Sequence, residues 1–220
     1  MADWVTISSL ATAGGTLVLA VATFSSVRSA NRSARVAQQS LLVGMRPVLI
    51  PSRQDDPVER VAFGDGRLLI VPGNGGAVER SGGVVYLAIG LRNGGSGLAV
   101  IHSWRARPRG QPADGSQPAP DTGDFRRQQI DLYIPAGDTG RWLGALRDPG
   151  EPGYAEVNAA IRAGEPVVVD LLYGDHEGGQ RTIARFSLTP WPTTDDGPSN
   201  DVGLRAIVLR YWNLDRDDPR

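Results

Sequence analysis

Hydrophobic and polar residues follow two different periods along this chain, and the period changes near Arg46. Residues 5–27 contain neither a charge nor a proline, and residues 28–45 continue with apolar positions at helical spacing. From Arg46 onward, short apolar runs alternate with polar residues between clusters of Gly, Pro, Asn and Asp. A period near 3.6 is typical of helices and a period of two is typical of strands. The chain therefore divides into a first helix (1–27), a second helix (28–45) and a β domain (46–220).

The β domain is predicted to hold eight strands and one short helix. Val85, Leu87 and Ile89 fall on one face of a strand, which requires one buried side. Tyr154 to Ala163 is the helical segment, because a Pro-Gly pair precedes it and a glycine closes it. The strands are expected near 46–51, 67–72, 83–92, 98–107, 129–134, 166–173, 181–189 and 204–212. Strands joined by short turns predict a mainly β fold, an antiparallel, immunoglobulin-like β-sandwich.

The first helix is predicted to cross a membrane. Its uncharged stretch, residues 5–27, would be roughly 35 Å long at about 1.5 Å per residue, against a hydrocarbon core of about 30 Å. The alternative is a cleaved signal peptide, since Ala20-Val21-Ala22 has the small-x-small form of a cleavage site. However, signal peptides open with Lys or Arg, whereas this chain opens with Met-Ala-Asp-Trp. A transmembrane helix in contact with the lipid bilayer is therefore the preferred interpretation.

Charge asymmetry around this span predicts its orientation. Five arginines and no acid occur between residue 28 and Asp55. Positive residues flanking a span stay in the cytoplasm. We therefore expect a single-pass protein of the cell membrane with its large domain in the cytoplasm. The alternative is an extracytoplasmic envelope or ligand-binding domain.

The second helix carries an arginine stripe. Arg28, Arg32 and Arg35 follow helical spacing and form a candidate membrane-surface site for anionic headgroups. The alternative is a topology signal on a solvated helix. A loosely apolar span with no partner is the preferred interpretation of residues 5–27, and the alternative is a weak homodimer through small residues that share one face of the span. These are Ser8, Ala11, Gly15, Ala22 and Ser25.

Composition excludes several kinds of chemistry. The 23 basic and 24 acidic residues of the 220 give a net charge of -1, which is not that of a nucleic-acid binder. There is no Cys, so thiolate nucleophiles, thiolate metal ligands and disulfides are excluded. All the basic residues are Arg, so an unmodified P-loop and Schiff-base mechanisms, which need a lysine amine, are excluded as well.

The two histidines are the remaining candidates for acid-base or metal chemistry. His176 opens a His-Glu-Gly-Gly-Gln run, in which Gln180 stands where a zinc peptidase needs its second His. His102 is in phase with Val100 and Trp104, as a histidine at the edge of a core would be. No catalytic residue, metal site or cofactor is therefore predicted. The alternative is a membrane-tethered hydrolase that uses His176 or His102 with nearby carboxylates.

Two glycine-rich turns are the candidate contact loops for a partner. Asn93 to Gly97 and Gly174 to Gly179 each join two predicted strands as hairpin connections. The candidate contact residues are Asn93, Ser96, Asp175, His176 and Glu177. The leading hypothesis is a membrane-tethered, non-enzymatic interaction or scaffolding module for an unknown protein partner.

The chain resembles a set of uncharacterised single-span proteins of high-GC Gram-positive bacteria. The resemblance lies in the span, the arginine-studded helix and the segment Arg46-Pro47-Val48-Leu49-Ile50-Pro51. It extends through Val84 to Gly97 and through Leu171 to Thr182. It implies a membrane-anchored β-sandwich and brings no assigned activity.

Overall fold

The computed structural model describes residues 4–110, 118–190 and 203–216 of the chain. It divides into two compact units, Met1–Gly44 and Met45–Arg220. The first unit contains one helix, α1. Among the described residues, the second contains the strands, one further α-helix and a short 3-10 helix, Thr122–Asp124.

Helix α1 runs without interruption over Trp4–Gly44, so the two predicted helices are one. The hydroxyls of Thr16 and Thr23 each donate to the backbone carbonyl four residues earlier, at 2.8 Å. Such bonds satisfy the side chain within the helix itself.

The predicted transmembrane segment is helical, but its ability to cross a membrane is not confirmed. In the part of the chain that the structure describes, no helix contains a stretch that is both long and apolar enough to cross a membrane. Thr12, Gly14, Gly15 and Thr16 lower the hydropathy of the described part of the segment. The side chains of its first residues, 5–11, lie outside the described set.

The second unit is mainly β, as predicted. Its strands are β1 (Leu49–Pro51), β2 (Glu59–Ala62), β3 (Leu68–Val71), β4 (Gly75–Ser81), β5 (Val84–Asn93), β6 (Ala99–Pro108), β7 (Arg126–Ile134), β8 (Thr139–Leu146), β9 (Val167–Gly174), β10 (Arg181–Pro190) and β11 (Leu204–Asn213). Its helix α2 covers Tyr154–Arg162, where the sequence predicts it. Three strands, β2, β4 and β8, lie where no strand is predicted.

The described strands form one large antiparallel sheet and one small hairpin, which corrects the predicted sandwich of two separate sheets. The large sheet runs β1-β5-β4-β11-β10-β9-β6-β7, with β8 on the other edge of β5, and it curls into a half-barrel. Strands β1 and β4 follow one another along the same edge of β5. Strands β2 and β3 form the separate hairpin.

The two halves of the sheet are continuous because β4 crosses from β5 to β11. The crossing rests on two residue pairs, Leu204 with Gly76 and Arg205 with Gly75. A Cβ at Gly76 would lie 2.9 Å from the carbonyl oxygen of Ala88, so only glycine allows this close approach. These two glycines therefore form the corner at which the sheet passes from β5 to β11.

The main core lies inside the curl. Trp104 of β6 and Trp142 of β8 meet edge to face there, with ring centroids 5.2 Å apart. A Cβ at Gly144 would lie 2.9 Å from the Trp104 ring, so this glycine makes room for the two indoles. A smaller cluster on the other side of β5 packs the β2–β3 hairpin against Tyr86 and Ala88.

His102 is not in phase with Trp104, which corrects the predicted pattern. The pairing of β6 with both β7 and β9 shifts between Ile101 and Ser103, so His102 occupies a β-bulge. A bulge adds one residue to the strand and reverses the faces that follow it. Ile101 and Trp104 both belong to the main core, while His102 is only half-buried.

Candidate interaction surface

Strands β7 and β8 are consecutive in the chain but do not pair with each other in the described structure. The ladder partner of β7 is β6, and that of β8 is β5. Each strand therefore keeps one edge that lacks a ladder partner among the described residues. We call the opening between these two edges the seam.

The turn between β7 and β8 is fastened to the end of β5 by Asn93. The backbone N–H of Asn93 donates to the carbonyl of Asp138 at 3.0 Å, and the N–H of Gly137 donates to the carbonyl of Asn93 at 2.9 Å. The Asn93 amide nitrogen also donates to the carbonyl of Ile134, at 2.9 Å. These bonds fix the turn at one end of the seam, and beyond the turn the two strands separate.

The Asn93 side chain makes four hydrogen bonds, the full number that an amide can make with one bond on each lone pair and each N–H. Its nitrogen donates to the carbonyls of Gly97 and Ile134, and its oxygen accepts from the N–H groups of Val48 and Gly95. The residue is 0% exposed. Because the side chain is buried and fully hydrogen-bonded, the role that the structure shows for Asn93 is structural. Its contact with a partner stays a prediction.

Gln128 bridges the seam. Its amide nitrogen donates to the carbonyl of Leu143 at 3.1 Å, and its oxygen accepts from the indole N–H of Trp142 at 3.2 Å. The indole N–H belongs to a fully buried side chain, which must find a partner. Gln128 thus supplies a hydrogen-bond partner to a buried indole of the core and to one backbone carbonyl of β8.

Strand β7 is detached from β6 around its middle. Leu132 pairs with Ile101 and Arg127 pairs with Ser103, so residues 128–131 face only His102. All four residues nevertheless remain in strand conformation. An extended segment with so little pairing on one side and none described on the other is the least supported part of the sheet.

The exposed side of β7 combines charged, polar and large apolar side chains. Ile130 is 56% exposed and Tyr133 is 55% exposed. Arg127, Gln129 and Asp131 are exposed between and beside them. The phenol of Tyr133 donates to Asp131 at 3.2 Å. We call residues 127–133 the β7 edge.

A shallow cleft lies beside the β7 edge and encloses about 210 Å³. Its inner wall includes Trp104, and the guanidinium of Arg126 lies 5.4 Å from the centre of that ring. Arg126 is also paired with Glu151 at 2.5 Å. The cleft therefore has an aromatic floor with an ion pair at its rim.

A second group of charges includes Arg147, which also lines the cleft. Arg147 is paired with Asp65 at 2.5 Å, and the phenol of Tyr86 donates to the same carboxylate at 2.7 Å. The hydrogen bond from Tyr86, followed by that from Arg147, holds the pKa of Asp65 well below its usual range. The Asp65 carboxylate is therefore charged at neutral pH, and it ties the β2–β3 hairpin to the main sheet.

A row of charged residues crosses four neighbouring strands, with its two inner members, Asp170 and Arg185, buried and its two outer arginines half-buried. Arg105, Asp170, Arg185 and Arg210 are in register on β6, β9, β10 and β11. Asp170 is 0% exposed and accepts from Arg185 at 2.6 and 3.0 Å and from Arg105 at 2.9 Å. This row has no exposed carboxylate or imidazole that could act on a substrate, and its ion pairs serve the fold.

The other predicted contact residues lie on α1 and in two turns of the β domain. Arg28, Arg32 and Arg35 are exposed on α1, where the prediction of a membrane-surface site stays untested. Ser96, His176 and Glu177 are exposed in their turns. Asp175 is buried, and its carboxylate accepts from the N–H of Gln180 at 3.2 Å.

The two histidines have different surroundings. No group of three metal-ligating side chains occurs among the described residues. Burial, reinforced by the charge of Arg181, lowers the pKa of His102, while Asp175 and Asp131 act in the opposite direction. His176 lies 4.0 Å from Glu177 with both side chains largely exposed. His176 therefore lies in an exposed turn, and His102 lies at a β-bulge of the sheet.

Comparison with known proteins adds no relatives. No protein family matches this chain, and no curated protein matches it either. The resemblance to single-span proteins of high-GC Gram-positive bacteria therefore stays a prediction.

The β7 edge was not predicted as a site. Residues 129–134 are predicted to be a strand, but alternation alone does not distinguish an edge strand from a central one. The available signal was composition, because Arg-Arg-Gln-Gln before Ile130 has few of the β-branched and aliphatic residues found in β9 and β10.

Proposed function

We propose that this protein is a non-enzymatic interaction module that binds another polypeptide along the β7 edge and is tethered to a membrane by α1. The observation that carries the first part is the half-detached β7 strand. It keeps an extended conformation over residues 128–131, exposes Ile130 and Tyr133, and has no ladder partner on its outer side among the described residues. Because Gln128 links this side of β7 to β8, the proposed contact uses the exposed side chains of the strand, which combine apolar and charged groups as protein interfaces do.

The neighbouring edge of β8 does not have the same accessibility. Gln128 already occupies the carbonyl of Leu143, and the Trp142 indole depends on the same amide. A partner that displaced Gln128 would leave the buried indole N–H without an acceptor, which costs about 1–3 kcal/mol. The favoured contact is therefore made by the exposed side chains of the β7 edge, which a partner can meet without displacing Gln128.

The tether rests on the sequence of α1. Residues 5–27 lack charge and proline, and Arg28, Arg32 and Arg35 follow them on an exposed helical face. Arginines at the cytoplasmic end of a helix favour anionic headgroups and would place the β domain in the cytoplasm.

Site-specific photo-crosslinking tests the interaction surface. A photoreactive amino acid at Gln129 should yield a covalent adduct with a polypeptide in living cells. The same group at Glu156, which is exposed on α2, is the matched control and should yield none. Adducts at Ser96 or His176 instead of Gln129 would move the contact to the predicted turns, and no polypeptide adduct at any position would refute the proposed function.

Reporter fusions and fractionation test the tether independently. The full chain should remain with membranes after a high-salt wash, and a C-terminal fluorescent-protein fusion should be bright. An active C-terminal alkaline phosphatase fusion would reverse the proposed orientation. Release of the chain by salt alone would contradict a membrane-spanning α1.

A further inference from the structure

Arg107 of β6 is a half-buried arginine that has no counter-charge of its own. Its neighbours in the strand, Trp104 and Ala106, point into the main core, so alternation puts Arg107 on the other side of the sheet. Among the described residues, Arg107 forms neither an ion pair nor a side-chain hydrogen bond. A guanidinium offers five N–H donors, and all five are therefore available to a ligand.

The nearest carboxylate is already shared by two other arginines. Asp170 is fully buried and accepts from Arg185 at 2.6 and 3.0 Å and from Arg105 at 2.9 Å. Burial lowers the pKa of Arg107, the charges of Arg185 and Arg105 lower it further, and Asp170 acts in the opposite direction. Since an arginine keeps its proton in proteins, a positive charge remains here in unfavourable surroundings.

A second arginine without a carboxylate partner follows Arg107. Arg109 comes directly after β6 and is exposed, and it forms no ion pair with a described residue. Its backbone N–H donates to the carbonyl of Pro166 at 3.0 Å, so the ladder continues to this residue and places it on the same side of the sheet as Arg107. Glu165, exposed just before β9, is paired with neither arginine among the described residues.

The charge balance around Arg107 indicates the class of ligand. The charged groups that influence Arg107 are Arg105, Arg185 and Asp170, so three guanidiniums meet one carboxylate and leave an excess of two positive charges. The planar fork of an arginine fits an oxyanion through two parallel hydrogen bonds. A phosphate group carries about −1.5 to −2 at neutral pH, which matches this excess, whereas a carboxylate supplies half of it.

We propose that Arg107 is the centre of a phosphate-binding site on the outer side of β6, with Arg109 at its rim. The guanidinium of Arg107 donates two hydrogen bonds to the phosphate oxygens, and the bound dianion neutralises the charge that Asp170 leaves uncompensated. The site goes beyond the proposed function, because it takes a small oxyanion and lies on β6 rather than on the β7 edge.

Calorimetric titration of the full chain in detergent with inorganic phosphate tests the site. The parent protein should bind phosphate, and Arg107→Gln should weaken binding about tenfold or more, since it removes charge-assisted hydrogen bonds. Arg60→Gln is the matched control, because Arg60 is an exposed strand arginine without an ion pair among the described residues. This control should bind as the parent does. No binding by the parent, or equal weakening in both variants, would overturn the proposal.

Arg107→Lys separates the shape of the guanidinium from its charge. The variant keeps a positive charge on a long apolar stem but loses the planar fork, so it should also bind phosphate more weakly than the parent. Without phosphate, both Arg107 variants should be at least as stable as the parent in urea, because they remove no ion pair. Full affinity in Arg107→Lys would contradict the bidentate site, and unfolding of both variants without phosphate would show that Arg107 supports the fold.

Phosphoserine as a second probe identifies the source of the phosphate. Tighter binding of phosphoserine would assign the site to a phosphorylated polypeptide, and tighter binding of inorganic phosphate would assign it to the free ion. Sodium chloride at the same ionic strength is the control, and an equal effect of chloride on the melting temperature would overturn a specific site. These results are independent of the crosslink at Gln129, so the failure of this site and the failure of the β7 contact remain distinguishable.

Discussion

Strands β9 and β7 belong to the same sheet but have opposite relations to their surroundings. Every residue of β9 is buried, and the strand pairs along its length with β6 and β10. Strand β7 has one buried residue, Ile134, and loses its pairing over residues 128–131. The first strand is specified by the protein's own interior, whereas the second keeps an extended form with little internal support. We interpret this difference as a division between a scaffold and a contact edge.

The two strands also differ in how their charged side chains are paired. β9 carries Asp170, whose carboxylate is held by two guanidiniums in a fully buried position. β7 carries Asp131, which is exposed and accepts only the Tyr133 phenol among the described residues. A buried charge must be paired within the fold, while an exposed one is free to meet a partner. Substitutions along the two strands should therefore have very different effects on stability.

Asp170→Ala should give the largest loss. It leaves the guanidinium of Arg185, which is largely buried, without its carboxylate, and breaking a buried pair in this way costs about 3–5 kcal/mol. The readout is urea unfolding followed by tryptophan fluorescence. Asp124→Ala is the matched control, because Asp124 also pairs with Arg105 but is mostly exposed. Its loss should stay below about 1 kcal/mol, and equal losses in both variants would contradict the distinction.

Asn93→Ala should follow, with a loss of about 3 kcal/mol. It removes four hydrogen bonds at the point where the turn between β7 and β8 is fastened to β5, and it leaves buried backbone groups without partners. Asn93→Asp keeps the acceptor oxygen but loses both N–H donors to the carbonyls of Gly97 and Ile134, so this variant should be no more stable than Asn93→Ala. Near-native stability in either variant would show that the seam does not depend on this residue.

Gln128→Ala should cost about 1–3 kcal/mol, because it leaves the Trp142 indole N–H without its acceptor. Gln129→Ala is the control from the same strand and should change stability by less than about 0.5 kcal/mol. The two variants compare neighbouring glutamines that face inward and outward. Equal effects would mean that β7 is not divided into a structural face and a contact face.

Lowering the pH should destabilise the domain through His102. Its pKa in the folded state lies below the ordinary value of 6.5, chiefly because of burial and then because of Arg181. Protonation therefore favours the unfolded chain, so this contribution to stability is complete above about pH 6.5 and is lost as the pH falls below it. His102→Gln should flatten the decrease in melting temperature between pH 7 and pH 5. A parent profile that is flat between these pH values would contradict this assignment.

The sequence predicts the central strands far better than the sheet's edges. Strands β5, β9 and β10 have strong apolar patterns, because burial requires them, and they lie within one or two residues of their predicted bounds. Strands β4 and β8 were missed because Gly75, Gly76 and Gly144 interrupt their patterns. These glycines are needed for close approach to Leu204, Ala88 and the two indoles, which are contacts between residues far apart in the chain. No local pattern contains that information.

The candidate site was missed for a related reason. The turns at Ser96 and His176 have recognisable composition, but a free edge is a property of the whole sheet. Whether β7 has one neighbour or two depends on the path of β8, which the sequence does not reveal. The bulge at His102 is likewise visible only from the shifted pairing of three strands.

Ile130→Ser should have the smallest effect on stability and the most informative one. Ile130 is more than half exposed, so the change should alter the free energy of unfolding by less than about 0.5 kcal/mol. The equivalent change at Ile183 of β10, which is fully buried, should cost several kilocalories per mole because it removes packed apolar volume. If the β7 edge is a contact surface, Ile130→Ser should nevertheless reduce the photo-crosslinked adduct formed from Gln129 in cells, while a folded Ile183 variant should retain it. Loss of stability on substituting Ile130 would show that this residue supports the fold, and β7 would then belong with β9 as part of the scaffold.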